Sequence, residues 1–189
     1  MKFALIILLL LNETQGSINT SSDEVSLDTK ENICTLKGNA KVSYITQTEN
    51  YVFTADRIII SYYKKNIEKI KADGKVVFTY LDLKNPQNAA QKNSHIFTSN
   101  RITVLCDGKN IKKIRADGMV TFTHDKLQIS SKICTFDTSR CVIFSDEVVI
   151  TDNKIGTIRA DKAVYNIDTK NIDVMSKDKV NIVIENEKI

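Results

Sequence analysis

Tryptophan is absent from this 189-residue chain, proline occurs once, at Pro86, and histidine occurs only twice. A histidine-based catalytic or metal centre therefore lacks ligands. We interpret His95, beside a loop, and His124, at the end of a strand, as surface or strand-edge residues. No glycine-rich loop precedes a helix that would cradle a phosphate, and no pair of acidic residues stands out. We therefore expect no enzyme, no catalytic residue, no cofactor and no bound metal.

The chain has only a small excess of positive charge. It contains 27 lysines and arginines and 23 acidic residues, for a formal net charge of +4. No basic run is long enough to form a nucleic-acid-binding stripe. We interpret Lys64-Lys65 and Lys112-Lys113 as solvated strand ends or turns. Nucleic acid is therefore not an expected partner.

No apolar run reaches the roughly 20 residues of a typical membrane-spanning helix. The run at residues 3–11 follows Lys2 and precedes a polar segment that ends in Gly16-Ser17. This order is typical of a secretory signal peptide. We predict a signal over residues 1–16 and one exported domain over residues 17–189. A buried first strand and an atypical anchor are the alternatives for residues 3–11.

The cysteines match no zinc or redox motif; they are Cys34, Cys106, Cys134 and Cys141. In an oxidising compartment three pairings are possible if all four join. Cys134 and Cys141 flank a turn, but a two-residue turn at residues 138–139 would set Cys134 opposite Ile143 and Cys141 opposite Phe136. A bridge between them is therefore disfavoured, and we interpret the cysteines as small apolar strand residues.

What the chain does have is an internal repeat. Residues 55–76 align without a gap with residues 99–120, and each copy contains Ala-Asp-Gly near its end. Weaker copies extend over residues 22–44, 131–151 and 160–184. The copy at 131–151 is shortened around residues 137–141 and lacks Ala-Asp-Gly, which leaves its strand register open. Self-similarity at this period indicates repeated supersecondary units.

Apolar and polar residues alternate inside each unit, as at Ile102 and Val104 and again at Val120 and Phe122. A period of two predicts strands rather than helices. We predict many short strands, among them residues 51–54 and 58–60, and an enlarged loop over residues 82–94. Turns are predicted at Asp73-Gly74, Asp107-Gly108, Asp117-Gly118 and Asp152-Asn153. Such strands form a sandwich, a jelly roll or a solenoid.

The repeated phrase resembles the OstA-like, or LptA, family of lipopolysaccharide transport proteins. Ala55-Asp56-Arg57 opens a strand, Asn66-Ile67 follows a charged turn, and Ala72-Asp73-Gly74 leads into Val-x-Phe at residues 76–78; residues 100–122 repeat the phrase. The resemblance covers nearly the whole predicted mature chain. It implies an all-β fold in which repeated antiparallel strands form an open, V-shaped β-jellyroll.

The resemblance also implies a function, that of a periplasmic carrier or bridge moving lipopolysaccharide from the inner to the outer membrane. The partners implied are lipopolysaccharide, an LptC-like inner-membrane protein and an LptD-like outer-membrane protein. A membrane-anchored LptC-like scaffold and a structural β-repeat protein without ligand are the alternatives. The acyl chains would lie in an apolar groove lined by the inward-facing residues Val25, Leu27, Val42, Ile58, Ile60, Val76, Phe78, Ile102, Val104, Val120, Phe122, Phe136, Ile150, Tyr165 and Ile182.

The terminal strands, around residues 25–28 and 180–184, have no obvious neighbour within the chain. Unpaired strand edges invite the addition of a strand from another chain. We therefore expect head-to-tail self-association.

Overall fold

The computed structural model describes residues 17–45, 49–64, 66–82, 94–107, 110–137, 140–152, 156–177 and 180–183. The predicted signal peptide and most of the predicted loop at residues 82–94 lie outside this part of the chain. Within it, no helix has the length and apolar character needed to cross a membrane.

The described residues contain twelve β-strands, because apolar and polar side chains alternate along almost every segment. Their bounds are β1 Ser17–Ser21, β2 Glu24–Asp28, β3 Ile33–Ile45, β4 Glu49–Tyr63, β5 Asn66–Asp82, β6 Ser94–Asp107, β7 Asn110–His124, β8 Leu127–Asp137, β9 Cys141–Asp152, β10 Gly156–Asn166, β11 Ile172–Met175 and β12 Asn181–Val183.

The strands form one antiparallel sheet in which β3 to β10 follow each other in chain order. β1 and β2 both pair with β3, β2 along its first half and β1 along its second. β11 and β12 share β10 in the same way. The sheet therefore has an N-terminal edge, formed by β1 and β2, and a C-terminal edge, formed by β11 and β12. The all-β class and the open antiparallel sheet predicted from the sequence are confirmed.

A line of β-bulges crosses the sheet and divides each long strand into two halves. The pairing register shifts at this line between every two neighbours from β3 to β10. Alternate strands carry two consecutive residues with positive φ there: Gly38-Asn39, Gly74-Lys75, Gly118-Met119 and Asp146-Glu147. A bulge bends its strand and increases the local twist. Each long strand therefore turns part of its length away from the rest.

The predicted turns at Asp73-Gly74 and Asp117-Gly118 are wrong, because both steps are bulges inside β5 and β7. Pairing resumes on the far side of each bulge, so the chain bends without reversing direction. For the same reason the short strands predicted at residues 51–54 and 58–60 are two halves of β4. The steps that begin at Asp107 and Asp152 do stand where β6 and β9 end.

Aromatic contacts across the interior show that the sheet rolls on itself. The ring centroids of Tyr80 in β5 and Phe136 in β8 are 6.0 Å apart, and those of Phe122 in β7 and Tyr165 in β10 are 5.3 Å apart. Neither pair lies on neighbouring strands. Each contact joins strand halves from opposite sides of the bulge line. We call the halves that carry Tyr80 and Phe122 the first layer, and those that carry Phe136 and Tyr165 the second layer.

The register of the unit at residues 131–151 is now defined. Cys134 lies opposite Phe144, and Phe136 lies opposite Val142. The predicted partners were one residue off, because Arg140, with a φ of 58°, precedes β9 as a third connecting residue. Cys134 faces the interior, whereas Cys141 is next to the inward-facing Val142 and so lies on the other face. The four cysteines are free thiols.

Candidate functional site

Three rows of inward-facing side chains cross the whole sheet, from the N-terminal to the C-terminal edge. Residues directly opposite each other on antiparallel strands share a face, so the pairing register defines each row. The first inner row lies in the first layer and consists of Thr20, Val42, Phe53, Phe78, Phe97, Phe122, Ile129, Ile150, Ile158 and Ile182.

The other two inner rows lie in the second layer. The second row consists of Val25, Leu36, Ile58, Ala72, Ile102, Ala116, Cys134, Phe144, Ala163 and Val174. The third row consists of Leu27, Cys34, Ile60, Ile70, Val104, Ile114, Phe136, Val142, Tyr165 and Ile172. Thr20 and the hydroxyl of Tyr165 are the polar exceptions, and these three rows are otherwise apolar from edge to edge.

The residues predicted to face inward mostly belong to these rows. Val76 and Val120 are the exceptions, since each stands beside a bulge, opposite a serine. Twelve of the fifteen predicted residues are buried. The other three, Val25, Leu27 and Ile182, are 37%, 55% and 57% exposed. They share the inner face but lie on the edge strands β2 and β12, where no further strand covers them.

The middle of the interior is filled by the protein's own side chains. Phe53, Phe78, Phe97 and Phe122 form an aromatic ladder with centroid separations of 4.6, 5.4 and 4.9 Å. None of the four is more than 3% exposed. Dispersion contacts at this density stabilise the roll and leave little room between the layers at this point. Apolar surface is accessible to a ligand at the two edges of the sheet. In the middle it would become accessible only after the two layers separate.

The two histidines lie in the interior, which corrects the prediction of surface or strand-edge positions. His95 and His124 are 3% and 4% exposed, and their ring centroids are 4.1 Å apart. The His124 Nδ1 and the Tyr165 hydroxyl are 2.5 Å apart and form a hydrogen bond. Burial, with a smaller contribution from Asp125, raises the pKa of Tyr165 to about 12. The strand period sets His95 opposite the inward-facing Tyr80 and thereby decides its burial.

An apolar pocket of about 880 Å³ opens at the C-terminal edge. Its walls come from both layers: Leu127, Ile150 and Ile158 from the first, and Tyr165, Ile172 and Val174 from the second. β12 continues the first layer while β11 continues the second, and β11 forms part of the pocket wall. The inner rows therefore end in an open apolar cavity on this side. Pockets of this size and lining are typical of small-molecule and lipid sites.

Charged residues form the rim of this pocket. Lys126 and Asp152 line it, and the Lys170 Nζ lies 3.5 Å from the Asp125 Oδ2 at its opening. The opening is therefore charged and the walls are apolar. An amphipathic molecule matches this arrangement, because its chain can enter the pocket while its polar head stays in water.

A polar cluster joins three separate parts of the roll close to the same pocket. Arg140, between β8 and β9, donates a hydrogen bond to the Tyr80 hydroxyl at 3.0 Å and another to Asp168 at 2.8 Å. Its Nη1 is 3.6 Å from Glu49 Oε1, and Tyr51 and Tyr80 donate to Glu49 at 2.7 and 3.2 Å. We call these five residues the Arg140 cluster.

The Arg140 cluster fastens the two layers together. Glu49 and Tyr80 belong to the first layer at β4 and β5, whereas Arg140 and Asp168 stand at the ends of second-layer strands. The side chains of Arg140 and Glu49 are 23% and 26% exposed, so their pairing is only partly screened by water. Burial and the bond to Glu49 raise the pKa of Tyr51 well above its usual value, which keeps this phenol a donor.

Sequence reasoning missed several of these residues. Ile172 and Val174 alternate with polar neighbours, which was a usable signal for an inward-facing strand. The Arg140 cluster had no comparable signal, because Glu49, Tyr80 and Arg140 are distant in the chain and meet only in the rolled sheet. Among the described residues, no group of three or more His, Cys, Asp or Glu side chains is placed to hold a metal ion.

Comparisons with known proteins match the chain to a family model and to solved structures. A family model described as LptA/(LptD N-terminal domain) LPS transport protein matches residues 19–119. Among solved structures, the chain is similar to the crystal structure of LptH, described as the LptA-homologous periplasmic component of the lipopolysaccharide transport device of Pseudomonas aeruginosa. That similarity covers 90% of this chain and 96% of LptH, with 13% identity and a TM-score of 0.35. No curated protein sequence matches the chain significantly.

Proposed function

Because this chain belongs to the LptA/LptD N-terminal domain family of lipopolysaccharide transport proteins, we propose that it is a non-enzymatic carrier that moves lipopolysaccharide from the inner to the outer membrane. The observation that carries the proposal is the set of three largely apolar inner rows, which run from edge to edge and end at the C-terminal pocket. Acyl chains would lie along the inner rows while the sugars stay in water.

The energetics favour acyl chains as the cargo of this face. Moving a methylene from water onto apolar surface gains about 0.8 kcal/mol, so a long chain needs no charged anchor to be held. Because the protein's own side chains fill the middle of the interior, an acyl chain must move along the inner rows in steps. A chain enters at an exposed edge, occupies the pocket, and advances as the two layers separate. The predicted inward-facing residues would then contact the cargo, with those at the edges contacting it first.

The proposal places the protein in the periplasm. Residues 1–16 would be the export signal and residues 17–189 one mature domain. The two free edges would join an LptC-like protein of the inner membrane and an LptD-like protein of the outer membrane, and further copies of the chain would add head to tail between them.

The test uses the pocket rather than the filled interior, because an aspartate at Phe122 would unfold the roll. We expect Leu127→Asp and Ile172→Asp each to reduce retention of lipopolysaccharide by the purified mature protein, measured with a fluorescent lipopolysaccharide. The introduced carboxylate would lie in an apolar wall against which the acyl chain must pack. The matched control is Thr123→Asp, at an exposed outward-facing position of β7.

Retention that stays unchanged in both pocket variants would contradict the proposed route. A wild-type protein that unfolds cooperatively but retains no lipopolysaccharide would contradict the carrier function itself. Circular dichroism of each variant separates loss of binding from loss of fold.

A further inference from the structure

The repeat places a second copy of a basic pair beside the first. Lys69 and Lys71 on β5 correspond, at the offset of the repeat, to Lys113 and Arg115 on β7. All four alternate with buried residues and therefore point outward from the second layer. No run of basic residues in the sequence indicated such a group, because 41 residues lie between the end of one pair and the start of the next.

β6 lies between the two pairs and contributes only uncharged residues to this part of the face. Thr103 is opposite both Lys71 and Arg115, and Leu105 is opposite both Lys69 and Lys113. The intervening strand keeps like charges from standing directly opposite each other, which would be destabilising. Strand geometry sets the four cations at the corners of a rectangle of roughly 7 by 10 Å.

Two carboxylates next to this rectangle are paired with arginines, and a third, Asp137, lies opposite Lys113 on β8. Asp73 accepts from Arg57 at 3.1 Å and from Arg101 at 2.7 Å, and Asp117 pairs with Arg115 at 2.8 Å. The bond from Arg101, followed by that from Arg57, lowers the pKa of Asp73 despite its partial burial. Among the described side chains, Lys69 and Lys71 form no ion pair. Their charge is therefore available to a partner.

The outer face of the first layer has a different character. Its positions on β5 to β8 are largely uncharged, and include Thr79, Thr98, Thr121, Thr123 and Ser130. On β5 to β7 the outward-facing basic residues therefore belong to the second layer. This asymmetry favours a partner that meets the outer face of the second layer alone.

We propose that the outer face of β5 to β7, centred on Lys69, Lys71, Lys113 and Arg115, docks the protein onto the anionic headgroup layer of a lipid bilayer. A sheet face presents its cations nearly in one plane, which suits a planar charged surface better than a narrow nucleic-acid groove. Leu105, 41% exposed at the centre of the patch, adds apolar contact at the headgroup level. This surface is separate from the inner face, so the proposal does not depend on the cargo.

The experiment measures co-sedimentation of the mature chain with vesicles of phosphatidylcholine mixed with phosphatidylglycerol, and with vesicles of phosphatidylcholine alone. We expect binding to the anionic vesicles only, weakened by added salt. Each lysine near such a surface contributes roughly a five-fold factor in affinity, so Lys69→Gln combined with Lys113→Gln should weaken binding roughly 30-fold. The substitutions are exposed or half-exposed and should leave the fold intact.

The matched control removes the same net charge elsewhere, through Lys30→Gln combined with Lys41→Gln. Equal losses in the two double variants would overturn the proposal, because they would show a net-charge effect without a docking face. Equal binding to neutral and anionic vesicles would also overturn it, as would tighter binding to a short DNA duplex than to anionic vesicles. Lipopolysaccharide retention in the Lys69/Lys113 variant should stay at the wild-type level, which separates this proposal from the carrier function.

Discussion

Single residues on the bulge line decide where the long strands bend. Gly74 has a φ of +77°, and a Cβ there would lie 3.0 Å from the Asp56 Cβ and closer still to its carboxylate. Gly118 has nearly the same φ of +78°, but its neighbour, the Asn100 amide nitrogen, would be 3.2 Å away. The Ala-Asp-Gly triplet therefore bends a continuing strand beside a polar side chain of the preceding strand.

We expect Gly74→Ala to destabilise the protein by about 1–3 kcal/mol, because a left-handed alanine is strained and the Asp56 side chain must move. Gly118→Ala should cost less, about 1 kcal/mol, since the backbone strain remains but the contact is looser. Urea denaturation of both variants measures the two free energies of unfolding. Equal losses would show that the Asp56 contact contributes nothing.

At the scale of single residues, the sequence predicts the burial of apolar side chains well and the burial of polar side chains less well. Twelve of the fifteen residues predicted to line the groove are buried, because strand parity holds along each half strand, and their contact with lipid stays a prediction. The same parity buries His95 and His124, whose polar character suggested the surface. Asp146 and Glu147 continue the bulge line without glycine, so residue type alone did not reveal the bend in β9.

At the scale of the elements, the Arg140 cluster links strand ends that are far apart in sequence. The backbone reinforces it, because the Ile167 N–H donates to the Arg140 carbonyl at 3.0 Å and so ties the connection after β10 to the one before β9. The same connection after β10 also carries Lys170, at the rim of the C-terminal pocket. Loss of the Arg140 side chain should therefore make one wall of that pocket more mobile.

We expect Arg140→Ala to lower stability by about 1–3 kcal/mol, because it removes the half-buried guanidinium that contacts Glu49, Tyr80 and Asp168. It should also speed the entry of a hydrophobic dye such as N-phenylnaphthylamine, since the layers are less firmly joined. Stopped-flow fluorescence measures the entry rate. Arg115→Ala, which removes an arginine from the outer face, is the control. Entry at the wild-type rate in Arg140→Ala would show that the cluster does not restrain the layers.

Element boundaries were the part of the fold that the sequence predicted least well. Asp-Gly steps have one local signature whether they reverse the chain or bend it, and only the pairing of neighbouring strands distinguishes the two. The repeat did establish that the strands are equivalent. It did not reveal that each strand contributes to both layers, because the cross-interior contacts join strands that are not neighbours.

At the scale of the molecule, the inner rows end in exposed apolar residues on both sides. Leu27 and Val25 close two rows at the N-terminal edge, and Ile182 closes the first row at the C-terminal edge. Within the described part of the chain, the strands at both edges pair on one side only, which favours the addition of a strand. A second copy joined edge to edge would extend every row and cover these side chains at the same time.

We therefore expect concentration-dependent head-to-tail assembly of the mature chain, weakened by Leu27→Asp or by Ile182→Asp. An inward-facing charge at either edge would be removed from water when the next copy adds, which opposes edge pairing. Met119→Asp is the control, because Met119 is 81% exposed and lies on the bulge line away from both edges. Light scattering over a concentration series measures the assembly. Head-to-tail joining pairs the N-terminal edge of one copy with the C-terminal edge of the next. A mixture of the Leu27→Asp and Ile182→Asp variants should therefore still form dimers through the two intact edges, but no longer oligomers. Joining between like edges would instead give dimers in each variant alone.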